Sequence, residues 1–170
     1  FSKEISSQLG REELLRTITR TFTRLAGAAQ SAMLTMTKDK DKFQISSGVN
    51  VVDERARIPA DGPVISRVVQ SQEDLVLSPP VSPGPELAVF YPNVRMPSNL
   101  SAIALPVVID NRVDSVILLC GEKVKTDVDA RRLYRALLGH AAVAIQNAKL
   151  YELAITDGLT GLFLRRHFLF

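Results

Sequence analysis

The sequence predicts an α+β domain: an antiparallel sheet flanked by helices, with long helices at its N- and C-terminal ends. Three observations predict it. In "SAIALPVVIDNRVDSVILLC" two apolar, β-branched runs meet at Asp110-Asn111, a dipeptide suited to a tight hairpin turn, and these are the best central strands in the chain. Near the start, Leu14, Leu15, Ile18, Phe22 and Leu25 recur at three- and four-residue spacing, as on one face of a helix. From Asp127 to Ile155 the chain lacks proline and is rich in Ala and Leu, which predicts one long helix, about 40 Å at about 1.5 Å per residue.

Taken in order, the first helix spans Arg11 to Leu25. Glu12 and Glu13 lie in its first turn, where negative charge meets the positive helix end. Arg16, Arg20 and Arg24 form a separate solvated stripe, and Gly27 is its natural stop. "SAMLTMT" and "KFQISSG" alternate about the polar loop "KDKDK" and read as a hairpin. In "RIPADGPVISRVVQSQEDLVLS", Val64, Ile65, Val68 and Val69 sit at helical spacing ahead of the short apolar run Leu75 to Leu77, which predicts a helix and then a strand. Residues 78–99 hold six of the nine prolines, at 79, 80, 83, 85, 92 and 97, and such a segment is denied the donors of a helix or central strand. It is expected to be a long loop, either a ligand cover or a surface insertion. Thr126 with Asp129 has the capping-box spacing that opens the last helix.

Composition narrows the class of protein. With 170 residues, 46% hydrophobic and 23% charged, the chain can bury a core without staples. The single cysteine, Cys120, lies in the run "VILLC" as a small buried hydrophobe, which suits a reducing cytoplasmic setting. The longest apolar run, "AIALPVVI", is far short of the roughly 18 residues of a membrane helix, and no leader pattern stands at the start. Beginning at Phe1 rather than Met leaves room for a segment upstream. A net charge of +3, with arginines spread along helices, argues against nucleic-acid binding. Two histidines and one cysteine make no metal cluster, and neither phosphate-loop nor dinucleotide glycine patterns occur.

Several segments resemble a known family. "RIPADGPVISRVVQSQEDLVLS", "SAIALPVVIDNRVDSVILL" and "HAAVAIQNAKLYE", in this order, resemble the Ile-Pro/helix/strand stretch, the paired strands and the closing helix of GAF sensor domains. The likeness spans roughly residues 12–153 and implies a GAF-like antiparallel sheet flanked by helices. Ser115 stands where that family often has Gly, and Ser78-Pro79-Pro80 replaces a common Asp. The last stretch, "DGLTGLFLRRHF", resembles the entry signature of GGDEF domains, the catalytic domains of diguanylate cyclases. Asp157, Leu159, Thr160, Gly161, Leu162, Arg165, Arg166 and Phe168 match it, while Leu164 replaces the usual Asn. These resemblances imply four parts: an N-terminal helix at 1–28, a GAF core at 29–125, a signalling helix at 126–155 and the truncated start of a GGDEF domain at 156–170. No Gly-Gly-Asp/Glu-Glu-Phe motif occurs in the chain, so these residues hold no cyclase chemistry of their own. Cut from its core, the terminal stub is expected to be disordered or misplaced.

Ligand-binding candidates follow from the loop. Between Arg67 and Arg112 the only basic residue is Arg95, beside Phe90, Tyr91 and Asn93. A guanidinium with neighbouring rings suits a small anionic ligand such as a cyclic nucleotide, with Ser46 and Ser101 as further polar candidates. The Asn-Lys…Phe…Asp-Glu signature of cyclic-nucleotide GAF domains is not recognisable. On the last helix, Leu133, Leu137, His140, Ala144 and Tyr151 are candidates for a homodimer face. Two functions fit: a sensor whose ligand shifts the exit helices of a dimer and so sets how two cyclase domains meet, or a ligand-free dimeriser that keeps them close. No other cofactor, nucleic acid or membrane partner is expected.

Overall fold

The computed structural model describes the backbone of residues 2–92 and 95–165 and the side chains of residues 10–92 and 95–150. Helix α1 covers Ser2–Ala26, starting well before the apolar repeat does. Gly27 ends it at φ 68°, a left-handed conformation that a side chain would oppose. The Gly27 amide donates to Arg24 O at 3.2 Å and the Ala28 amide to Thr23 O at 3.0 Å, which is the paired-bond C-terminal cap.

Strands β1 (Gln30–Met36) and β2 (Lys42–Val49) form the expected hairpin, and β3 (Arg57–Pro59) adds an edge strand absent from the sequence expectation. At three residues β3 is too short to show any period. Helix α2 (Pro63–Ser71) and strand β4 (Leu75–Leu77) follow. Strands β5 (Ser101–Ile109) and β6 (Arg112–Gly121) form the long central hairpin. Its turn is made by Asp110 and Asn111 at φ 53° and 63°, the paired positive angles that the right-handed twist of a hairpin favours. All six strands lie in one antiparallel sheet in the order β3-β2-β1-β6-β5-β4. Pro106 is tolerated inside β5 because β4 ends opposite Ala104, so no strand lies on that side of β5 at residue 106.

Each face of the sheet carries its own core. On the front, Ala32, Leu34, Phe43, Ala102, Ala104, Val116 and Leu118 pack against Val64, Ile65 and Val68 of α2. On the back, Met33, Ile103, Leu105, Ile117 and Leu119 pack against Leu15 and Phe22 of α1 and against Tyr134, Leu138 and Ile145 of helix α3 (Val128–Arg165). The rings of Phe22 and Tyr134 lie 6.3 Å apart, tilted 52°, and the Tyr134 hydroxyl donates to Lys125 O at 2.7 Å.

Two expectations about α3 are corrected. Its start is held by Asp127, whose carboxylate accepts from the Ala130 amide at 3.4 Å and whose carbonyl accepts from the Arg131 amide at 2.9 Å, so Asp127 rather than Thr126 is the cap. Its helical backbone continues past Ile155 to Arg165, because nothing in "TDGLTGLFLR" removes a donor. The side chains of Asp157, Leu159, Thr160, Gly161, Leu162 and Arg165 lie outside the described residues, as do Arg166 and the rest of the terminal stub.

Candidate functional site

Part of the proline-rich segment is packed into the front core. Leu87 and Val89, in a short 3-10 turn (Leu87–Val89), are buried in the front core together with Phe90 and Leu100. The Val52 amide donates to Val89 O at 3.0 Å and the Ala88 amide to Gly84 O at 3.0 Å, so the segment's backbone is partnered partly by residue 52 and partly within itself. Prolines exclude regular structure without excluding burial.

At the centre of this segment stands Glu86, which is fully buried at 0% exposure. Its Oε2 accepts from the amides of Val64 and Ile65, both at 3.0 Å, and so caps the N-terminus of α2, where Gly62 offers no side chain. Gly62 is required by this approach, since a Cβ there would lie 2.3 Å from Oε2. The other oxygen, Oε1, has no hydrogen-bond partner among the described residues. Glu86 borders a cleft of about 300 Å³ between α2, β4 and residues 78–87, whose wall also includes Arg67, Leu75, Leu77, Val81 and Gly84.

The sequence-derived ligand residues are not gathered at one place. Phe90 is buried in the front core, and Tyr91 packs half-buried beside it. Burial raises the Tyr91 phenol above its ordinary pKa; the nearby Cys120 raises it further, and a hydrogen bond with Gln30 partly offsets both. Arg95 is exposed on the surface, and Asn93 lies outside the described residues. Ser46 belongs to the opposite face. The β1–β2 register shifts between Met33 and Leu34, leaving Ser46 as the extra residue of a bulge, and its hydroxyl meets Thr35 Oγ1 at 2.8 Å and donates to Met33 O at 3.1 Å. Ser101 alternates with the front-facing Ala102 and so also lies on the back. Ser46 and Ser101 therefore lie on the face of the sheet opposite Phe90.

A second bulge arms the back face. The β5–β6 register shifts at Val107/Val108, and Val113 and Val116 both face the front, so the two residues between them turn backward. Asp114 there pairs with Lys149 of α3 and accepts from Ser115 Oγ at 2.8 Å, and Thr35 meets Ser115 at 3.3 Å. Nearer the start of α3, Asp74 meets Arg131 Nε and Arg135 Nη2, each at 3.0 Å, with its own side chain only 3% exposed. Burial alone would raise the Asp74 carboxyl pKa; hydrogen bonds and charge from Arg131 and Arg135 outweigh it and hold the group below its ordinary value. Three ion pairs, made by two aspartates, thus tie α3 to the residue ahead of β4 and to the bulge in β6.

Of the helix candidates, Leu133 and His140 are exposed, Ala144 is half-buried, and Leu137 is half-buried against the back core. The Tyr151 side chain lies outside the described residues. The stripe left open is Leu133, Ala136, His140, Val143, Asn147 and Leu150, every one exposed, at alternating spacings of about three and four residues. Among the described residues no helix is long and apolar enough to cross a membrane.

Sequence reasoning missed Glu86, Asp74 and the Val143/Leu150 end of this stripe. A signal for Glu86 existed: it is the only acidic residue between Asp74 and Asp110, and it stands directly before the apolar run "LAVF".

A six-stranded antiparallel sheet in this strand order, with α2 and an irregular segment in front and the terminal helices behind, is the GAF fold. Solved structures agree. The GAF domain/HD domain protein from Geobacter sulfurreducens superposes with a TM-score of 0.66 at 17% identity, over 82% of this chain and 94% of that one. The second GAF domain of DevS from Mycobacterium smegmatis gives 0.66 at 16% identity, over 85% and 99%. A type II free methionine-R-sulfoxide reductase from Thermoplasma acidophilum gives 0.65 at 12%, over 83% and 96%. No family model matches the chain, and no curated protein does.

Proposed function

We propose that this chain is the regulatory, ligand-sensing GAF module of a diguanylate cyclase, acting as a homodimer through α3. The observation that carries the reading is the exposed stripe from Leu133 to Leu150, which has the spacing of a coiled-coil seam and runs toward the GGDEF-like "DGLTGLFLRR". Two copies paired along it would bring two following domains side by side, as joining two GTP molecules requires. Asn147 at a seam position would set the register, since burying it unpaired is costly. A small molecule bound at the front would act by favouring one of two dimer arrangements, with the Asp74 ion pairs as a direct link from the β4 end to α3.

A ligand-free dimeriser is supported by a different observation: Phe90, Leu87 and Leu100 fill the front core with side chains. The exposed Arg95 remains the group suited to an anion such as a cyclic nucleotide.

The first test reads the gene beyond codon 170. A downstream Gly-Gly-Asp/Glu-Glu-Phe motif supports the cyclase reading, and a stop codon or an unrelated domain overturns it. Thermal unfolding against cyclic nucleotides, other nucleotides and small carboxylates separates sensor from dimeriser, because a ligand of the folded state raises the midpoint.

A further inference from the structure

We infer that His140 makes the α3 dimer sensitive to pH: in the paired state two imidazoles face each other at the middle of the seam, and protonation drives the copies apart. The inference rests on the homodimer reading and names a regulation of that same face. Along the stripe Leu133, His140 and Asn147 take the a positions of a heptad and Ala136, Val143 and Leu150 the d positions, all exposed. A second copy fits this face for two reasons. None of the six bears a carboxylate, amine or guanidinium, so the stripe can face itself without repulsion between fixed charges. Leu133, Val143 and Leu150 also leave 46%, 57% and 55% of their surface open, which a copy of the same stripe would cover. Because α3 of each copy runs toward a following domain, the pairing is parallel, and in a parallel pair each a residue meets its own counterpart. His140 therefore meets the partner's His140. Ala136 lies one turn before it. Gly139, a costly residue in a helix interior, stands beside it with open space where a Cβ would be, and both leave room for two rings.

No group placed near His140 offsets a positive charge. From Ala130 to Tyr151 α3 has no acidic residue, and its other charges are Arg131, Arg132, Arg135 and Lys149. The sheet side sends Asp74 and Asp114 to α3, but Arg131, Arg135 and Lys149 take them. Glu73 borders a groove with Gly139 and Ala142 that His140 does not line. On α1, which also packs against α3, the described charges are Arg11, Glu12, Glu13, Arg16, Arg20 and Arg24. Among the described residues His140 has neither a hydrogen bond nor an ion pair with any of these. Two imidazolium groups brought together there repel, so the dimer binds fewer protons than two separate chains. Its Kd rises as pH falls through the ordinary histidine range, near about 6.5, by about tenfold per pH unit for each proton the dimer lacks.

Sedimentation equilibrium of the 170-residue chain between about pH 8 and about pH 5.5 tests this, with far-UV circular dichroism to confirm that the protomer stays folded. The parent's Kd should rise about tenfold or more across that range. His140→Leu should dimerise more tightly near pH 8, with a Kd that no longer depends on pH. Val143→Glu lies at an exposed position, so the protomer should fold and fail to dimerise at either pH. A parent dimer with a flat Kd, or a pH dependence that survives His140→Leu, overturns the switch and leaves the homodimer reading standing. A dimer that survives Val143→Glu places the interface away from this stripe and overturns the switch as well. A parent that is monomeric at every pH overturns it too, and if His140→Leu is also monomeric, the homodimer reading falls with it.

Discussion

The two faces of the sheet are closed by opposite means. Behind it, regular helices carry the apolar side chains, and every charge described at the junction with the sheet is matched: Asp74 by two arginines, Asp114 by Lys149. In front, beside α2, an irregular proline-rich segment carries the core residues, and its buried acid is half-matched. Matched charge fixes one arrangement. Half-matched charge leaves one carboxylate oxygen without a partner among the described residues.

The largest test of this contrast compares one core residue from each face. Phe22→Ala should cost about 3–5 kcal/mol and Leu87→Ala about 2–5 kcal/mol in denaturant unfolding. Both side chains are 2% exposed, so a cost for Leu87→Ala below about 1 kcal/mol would show that the front segment is not part of the core. Next comes Gly62→Ala, which displaces the Glu86 carboxylate from the α2 amides and should cost about 1–3 kcal/mol.

Asp74→Asn tests the matched side and should cost about 1 kcal/mol near neutrality, because its arginine partners are partly exposed. Its pH dependence is more telling. The folded-state pKa of Asp74 lies below the unfolded one, so its contribution is complete above the ordinary aspartate value, near about 4, and is lost as pH falls through the folded value. The variant should therefore lose stability less steeply than the parent below about pH 4, as read from unfolding midpoints across that range.

Cys120 gives the smallest effect. Burial pushes its thiol pKa up to about 12, so a thiol reagent at neutral pH should label the folded protein only through opening of the front core. Fast labelling under native conditions would show that this face breathes more than its packing implies.

Much of this architecture was legible because it is local. The Asp110-Asn111 turn, the β1–β2 hairpin, α2 followed by β4, and the Gly27 stop depend on neighbours within a few residues, and propensity and periodicity report those directly. Strand β3 has too few residues for a pattern, and it exists because β2 offers an edge. The N-cap moved from Thr126 to Asp127 because capping depends on where the chain leaves β6 for the helix.

The ligand candidates show the limit most clearly. Ser46 was read only as a polar strand position, and its place as the unpaired residue of a bulge on the back face depends on how β1 and β2 pair rather than on either strand alone. Phe90 became core because the proline-rich segment had an apolar face to cover. Composition and period alone determined an α+β sheet with long terminal helices, since burial of alternating and helical apolar patterns admits few solutions. Which charge is matched, which oxygen lacks a partner and which helix stripe stays open were decided by the tertiary structure, because each depends on groups far apart in sequence: Glu86 on α2, Asp74 and Asp114 on α3.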